Sequence, residues 1–275
     1  MVDWTVAQME LLVFDLDGTL YEEQAHFTYY ARCLQEMLPL ERQADFWQDY
    51  QNMQSGTHIA LIGKIYDIKR DLVLTVEPLM KRVQAVHCWN GEPLPQSKWP
   101  SEYQAPIELR YGEFLGIGDR WILATTAALH QGLTNGYPAY QKTKLYLASP
   151  DFMMRKTPGL KEALARYQGT KKIVLLSNSD EDAAHEILEK LDLHSYFDWL
   201  IPRAGKPMET KNWLQKVLQT YQIQPEHAIS IGDNLFNEVL PAIELGMKSI
   251  YIYDGKMEFT HPSLIQVETL ANYPF

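Results

Sequence analysis

Cysteine is nearly missing: Cys33 and Cys88 are the two in 275 residues. Both lie in the amino-terminal half, so a disulfide scaffold is not expected and two reduced thiols are. Long apolar runs are missing as well. No stretch reaches the roughly 18 apolar residues of a membrane-spanning helix, so no membrane partner is expected. The opening residues, MVDWTVAQME, lack a basic segment followed by an apolar core, and a cytoplasmic location is the expectation. Positive charge is in deficit, with 25 Lys and Arg against 35 Asp and Glu and a net charge of −10. Nucleic acid is therefore a poor partner, because its phosphates are neutralised by Lys and Arg. Small phosphorylated molecules stay open, since a few local cations can hold them. Repeats and low-complexity segments are absent.

What is present begins at residues 11–20, LLVFDLDGTL. Leu11, Leu12, Val13 and Phe14 suit a strand buried on both faces of a parallel sheet. Asp15 and Asp17 follow, then Gly18 and Thr19. An Asp-Gly turn is the plain reading. Carboxylates at the end of a core strand also point to a bound cation, since they are costly to bury otherwise.

The next 129 residues, 21–149, have a different character. Apolar spacing of three and four predicts a helix from Glu22 to Leu38, closed by Pro39. Further helices are predicted over 41–54, 59–70, 72–87 with Pro78 kinking or dividing it, 107–115, and 119–133 with Asp119 or the glycines before it as cap. Residues 90–106 are rich in proline and read as a loop, and 137–146 read as a proline and tyrosine patch. Phe27, Tyr29, Tyr30, Phe46, Trp47, Tyr50, Trp89 and Trp121 could line a ring-binding pocket, but aromatics at helical spacing are more often core, and that is the favoured reading. His26, His58, His87 and His130 are scattered without zinc-site spacing.

From residue 150 onward apolar strands alternate with helices of nine or more residues. That alternation predicts an α/β fold: a Rossmann-like parallel sheet with helices on both faces. The expected domains are a core of residues 1–20 and 150–275 and an inserted, mostly helical cap of residues 21–149.

In such sheets ligands bind beyond the carboxyl ends of the strands. The strand at 173–176 ends in Ser177 and Asn178, which can bond an anion or, with Ser179, cap the next helix. The strand at 197–201 leads to Arg203 and to Lys206, a cation restrained between Gly205 and Pro207. The strand at 228–231 leads to Gly232, Asp233, Asn234, Asn237 and Glu238, where the helix dipole also favours an acid at 238. Asp15, Asp17, Asp233 and Glu238 on one edge would repel without a cation, and all-oxygen ligands suit Mg²⁺. One metal-bound carboxylate can attack phosphorus, and a second two residues on can serve as acid and base. An extended backbone points the two oppositely, so the chain must bend after Asp15.

The order DLDGT, Ser-Asn, Gly-Lys-Pro and Gly-Asp-Asn-x-x-Asn-Glu resembles the haloacid dehalogenase-like hydrolase superfamily. The matched stretches are about 9–20 and 157–255, and the insert sits where that family has its first type of cap. The resemblance implies Asp15 as nucleophile and metal ligand. Asp17 becomes the acid/base, with its main-chain carbonyl on the metal. Ser177, Asn178 and Lys206 become the phosphate-binding set, with Ser177 and Lys206 also catalytic. Asp233 becomes a metal ligand, and Glu238 a ligand or a partner of its waters. Asp17 argues for phosphoryl transfer, since members that dehalogenate carbon lack an acid there. The implied activity is Mg²⁺-dependent hydrolysis of a small phosphorylated metabolite through an aspartyl phosphate, by a monomer or homodimer. A sugar phosphomutase would share the core. A phosphonate hydrolase would need a cap lysine, and nothing singles out Lys64, Lys69 or Lys81. A non-catalytic protein that binds a phosphometabolite is the alternative of a different class.

Overall fold

The strand Leu11–Phe14, β1, has all four residues buried, as its unbroken apolar sequence requires. The computed structural model describes residues 3–256 and 259–275. The chain divides into two compact units, Met1–Gln24 with Leu147–Phe275, and Ala25–Tyr146. The lead-in to β1 holds a short 3₁₀ turn at Val6–Gln8, and Met1 and Val2 lie outside the described residues.

The unit Ala25–Tyr146 opens with helices α1, Ala25–Met37, and α2, Leu40–Gln54. It then forms β2 (Ile65–Asp67), β3 (Leu72–Val76), β4 (Val83–Cys88) and β5 (Phe114–Gly116). Those four strands make an antiparallel sheet in the order β4-β3-β2-β5. The helices expected over 59–70, 72–87 and 107–115 are thus corrected to strands and turns. Two turns decide it. After β2, the Asp67 carboxylate accepts the Arg70 N–H at 3.0 Å, and Asp71 takes a left-handed φ of 56°. After β3, Pro78 lies in the hairpin turn rather than kinking a helix, with the Glu77 carboxylate bonding the Leu79 and Met80 N–H groups. The short β-branched run between them then pairs as a strand.

Helix α3, Arg120–His130, is capped as expected: Asp119 accepts from the Ile122 N–H at 2.7 Å. The proline and tyrosine patch is a helix, α4, Tyr137–Ala148, with Pro138 in its first turn, where a missing N–H is harmless. Tyr30, Leu34, Phe46, Tyr50, Tyr66, Val73 and Leu123 are buried in one cluster, so these aromatics are core.

In the other unit follow α5 (Leu160–Tyr167), β6 (Lys172–Leu176), α6 (Glu181–Leu191), β7 (Trp199–Ile201) and α7 (Thr210–Tyr221). The chain continues with β8 (Ala228–Gly232), α8 (Leu240–Glu244), β9 (Lys248–Ile252) and β10 (Leu264–Val267). The six strands pair in parallel in the order β10-β9-β8-β1-β6-β7. Leu11 and Val13 pack with Leu214, Val217 and Leu218 of α7 and Ala242 of α8. Phe14, on the other face by the period of two, meets the rings of Phe197 and Phe275 at 6.3 Å. Both faces of β1 are covered, which makes it the middle of a Rossmann-like α/β sheet. Among the described residues no helix is long and apolar enough to cross a membrane.

Candidate active site

Strands β8, β1, β6 and β7 are neighbours and run the same way, so their carboxyl ends form one edge. Asp15 follows β1 and keeps its pairing, its N–H bonding the Ile231 carbonyl at 2.9 Å. Ser177 follows β6, Lys206 follows β7, and Asp233 follows β8. The switch from strand to loop thus brings residues far apart in sequence to one line.

Lys206 is 2% exposed, and its Nζ bonds Asp15 Oδ1 at 2.6 Å and Glu238 Oε1 at 2.5 Å. Burial alone would favour the neutral amine, but Asp15 and Glu238 outweigh it and raise the Lys206 pKa. The ammonium is therefore a fixed charge. Burial also raises the Asp15 carboxyl, against the pull of Lys206, and Asp17 adds to the rise. The second Glu238 oxygen accepts the Asn234 N–H at 3.0 Å. Glu238 is set in a single wide turn, Leu235–Val239, whose start Asn234 caps by accepting from the Phe236 and Asn237 N–H groups. Its chain passes so close to Gly232 that a Cβ there would overlap it.

The Asn178 side chain grips the main chain of Lys206. It donates to the carbonyl at 3.1 Å and accepts the N–H at 2.8 Å. Ser177 is buried at the end of β6, with its Oγ accepting the Ser179 N–H at 3.1 Å. None of residues 177–179 caps α6; Asp180 holds that position. Arg203 pairs with Asp180 at the surface, 2.6 Å apart, so it does not join the buried cations.

Two residues that the motif reading passed over hold Asp17. Tyr21 donates its hydroxyl to Asp17 Oδ1 at 2.8 Å, and Ser179 donates to Oδ2 at 2.9 Å. The Tyr21 phenol is pushed well above its ordinary value by burial and then by Asp17, so it remains a donor. Neither hydroxyl carries a spacing in the sequence that marks it as a partner of Asp17.

The bend required after Asp15 is present. Gly18 has φ +80°, and a Cβ there would overlap Asp233 Oδ2. Asp233 therefore lies directly against the loop carrying Asp17. Asp17, Asp15 and Asp233 all act on the Tyr21 hydroxyl, so three carboxylates share one small region. Among the described residues no three acidic, His or Cys side chains form a metal cage by themselves. Two carboxylates, a main-chain carbonyl and waters suit Mg²⁺, which seldom takes an all-protein cage. The donor set at residues 15, 17 and 233 fits that ion.

Comparison with known proteins gives the family and the fold. The model of the haloacid dehalogenase-like hydrolase family matches residues 9–246. Among curated proteins, a glyceraldehyde 3-phosphate phosphatase of Pyrococcus furiosus is 24% identical over 124 residues, 44% of this chain and 49% of the relative. The chain thus spans about half the length of that relative. Among solved structures, the magnesium-bound HAD-hydrolase YfnB of Bacillus subtilis has a TM-score of 0.50 at 15% identity, covering 95% of both chains. A HAD phosphatase of Thermococcus onnurineus has a TM-score of 0.49 at 14% identity, covering 95% of this chain and 94% of its own. With a family model matched across most of its length, both aspartates of the first motif included, the chain belongs to the haloacid dehalogenase-like hydrolases.

Proposed function

We propose that this hydrolase cleaves small phosphomonoesters through an aspartyl phosphate on Asp15. The observation that carries the reading is Asp17: an acid two residues beyond the nucleophile, with both oxygens held by hydroxyl donors. Carbon–halogen cleavage has no use for an acid there, because halide leaves without a proton. A phosphate ester of an alcohol does need one.

In the first step an Asp15 oxygen attacks phosphorus. The bond from phosphorus to the ester oxygen breaks, and Asp17 gives that oxygen its proton. In the second step Asp17 takes a proton from water as the water oxygen attacks phosphorus. The bond from phosphorus to Asp15 breaks and phosphate leaves. Lys206 holds Asp15 in place and balances charge on the phosphoryl oxygens, which Ser177 also bonds. Asn178 fixes the backbone of Lys206 within this group. Asp15, Asp233 and the Asp17 carbonyl would hold Mg²⁺, which when bound neutralises charge on the transferring phosphoryl group. Glu238 serves Lys206 directly, at 2.5 Å.

The test is phosphate release from a panel of phosphorylated metabolites, with Mg²⁺ and with a chelator. Glyceraldehyde 3-phosphate is the first to try, given the name of the curated relative. Release that depends on Mg²⁺ and is abolished in Asp15→Asn supports the reading. Release that persists in Asp15→Asn would sink the nucleophile assignment, and isomerised phosphosugar without free phosphate would mark a mutase.

A further inference from the structure

We infer that Tyr21 is a positioning residue for proton transfer, fixing the Asp17 carboxylate against the leaving-group oxygen in concert with Ser179. The inference rests on the reading of Asp17 as acid and base. A carboxylate has two rotational freedoms that blur its aim, and proton transfer needs the donor oxygen within hydrogen-bond reach. Here each oxygen has its own anchor, Tyr21 at 2.8 Å on Oδ1 and Ser179 at 2.9 Å on Oδ2. The two anchors come from different places. Tyr21 lies beyond the Gly18 bend, and Ser179 beyond the end of β6.

Both anchors are themselves fixed. Tyr21 is 3% exposed, its ring meets Phe152 edge-on at 6.5 Å, and its backbone bridges to Lys156. Ser179 is 1% exposed, its N–H bonds Ser177 Oγ at 3.1 Å, and its carbonyl accepts the Arg203 N–H at 2.9 Å. A plane held at both oxygens by rigid partners cannot rotate about its own axis. Each oxygen also has a second lone pair, so the carboxylate can meet a substrate while keeping its anchors. The seating selects for the part of the reaction in which a proton moves. It does nothing for the attack of Asp15 itself.

The test compares an alkyl phosphate, whose leaving oxygen must be protonated, with 4-nitrophenyl phosphate, whose leaving group departs as an anion. Tyr21→Phe keeps the ring and removes the hydroxyl. The ratio of kcat/KM for the alkyl ester to that for the nitrophenyl ester should fall about tenfold or more, with the loss in kcat and KM little changed. In an Asp17→Asn background the same substitution should leave the ratio where it was, because the two residues act as one unit. Thermal melting of each variant shows whether it is folded, and Ser179→Ala supplies an independent removal of the other anchor. An unchanged ratio in Tyr21→Phe and Ser179→Ala, while Asp17→Asn lowers it, overturns the positioning role alone. An unchanged ratio in Asp17→Asn overturns the acid/base reading and this inference with it.

Discussion

Glu238 and Asp15 hold the same Lys206 ammonium: Glu238 Oε1 is 2.5 Å from Nζ, and Asp15 Oδ1 is 2.6 Å from the same atom. Two buried carboxylates thus share one buried ammonium. The group carries one net negative charge where water is scarce, an arrangement that a divalent cation beside Asp15 relieves.

Removing the cation from this group should be severe. Lys206→Met leaves Asp15 and Glu238 buried without their counter-charge, and about 3–5 kcal/mol of stability should go with it. Adding Glu238→Leu to that variant should restore part of the loss, since one uncompensated charge is then gone. Urea unfolding of the three proteins at neutral pH, in a chelator, measures both effects.

The Gly18 bend should report on the metal. Gly18→Ala places a Cβ at φ +80° and onto Asp233 Oδ2. The conformation alone costs about 1–2 kcal/mol, and Asp233 must move as well. The Mg²⁺ concentration for half-maximal turnover should rise by about 10–100-fold, the range for a disturbed ligand shell. Titrating activity with Mg²⁺ reads it, and a midpoint equal to that of the native chain would separate Asp233 from the metal.

Asp233→Asn should raise the same midpoint while leaving the fold intact. The substitution keeps the size of the side chain and removes one anionic donor. Saturating Mg²⁺ should recover more activity in this variant than in Asp15→Asn, which lacks the proposed attacking group at any metal concentration.

Away from the site, Asp71 gives the unit Ala25–Tyr146 a pH signature. Burial opposes its ionisation, but bonds from His130 at 2.7 Å and Tyr66 at 2.6 Å outweigh it and lower its pKa. A depressed carboxyl stabilises the fold above its unfolded pKa and loses that contribution as pH falls through the folded one. Asp71→Asn should therefore be less stable than the native chain at pH 7, with the gap closing in acid. Chemical unfolding from pH 7 down to pH 3 follows it. A gap that widens in acid would contradict the sign.

The parallel sheet was legible because burial on both faces writes itself as an unbroken apolar run, as in Leu11–Phe14 and Ile173–Leu176. The ends of those strands were legible for a related reason: a polar residue directly after such a run has few places to point. The antiparallel sheet was not legible. Leu72, Val76 and Val83 also satisfy a helical spacing, and the turn chemistry of Asp67 and Glu77 outweighs it only once their carboxylates are seen to bond the backbone. Helix α4 was hidden because Pro138 looks like a breaker, although a first-turn proline is not one. Among site residues, Tyr21 and Ser179 escaped notice, since an isolated hydroxyl carries no spacing that distinguishes it from a cap or a core residue.

The central place of β1 sets the order in which this protein can assemble. Leu11–Phe14 is made before both of its neighbours, residues 172–175 and 228–231. During synthesis one edge of this strand waits for residues 172–175 and the other for residues 228–231. Ala25–Tyr146, whose sheet pairs strands within a short span, has no such delay. A growing chain therefore carries a finished unit beside an apolar strand still open on both sides. Chaperone dependence and aggregation during expression should be governed by LLVF, the apolar strand that leads into Asp15.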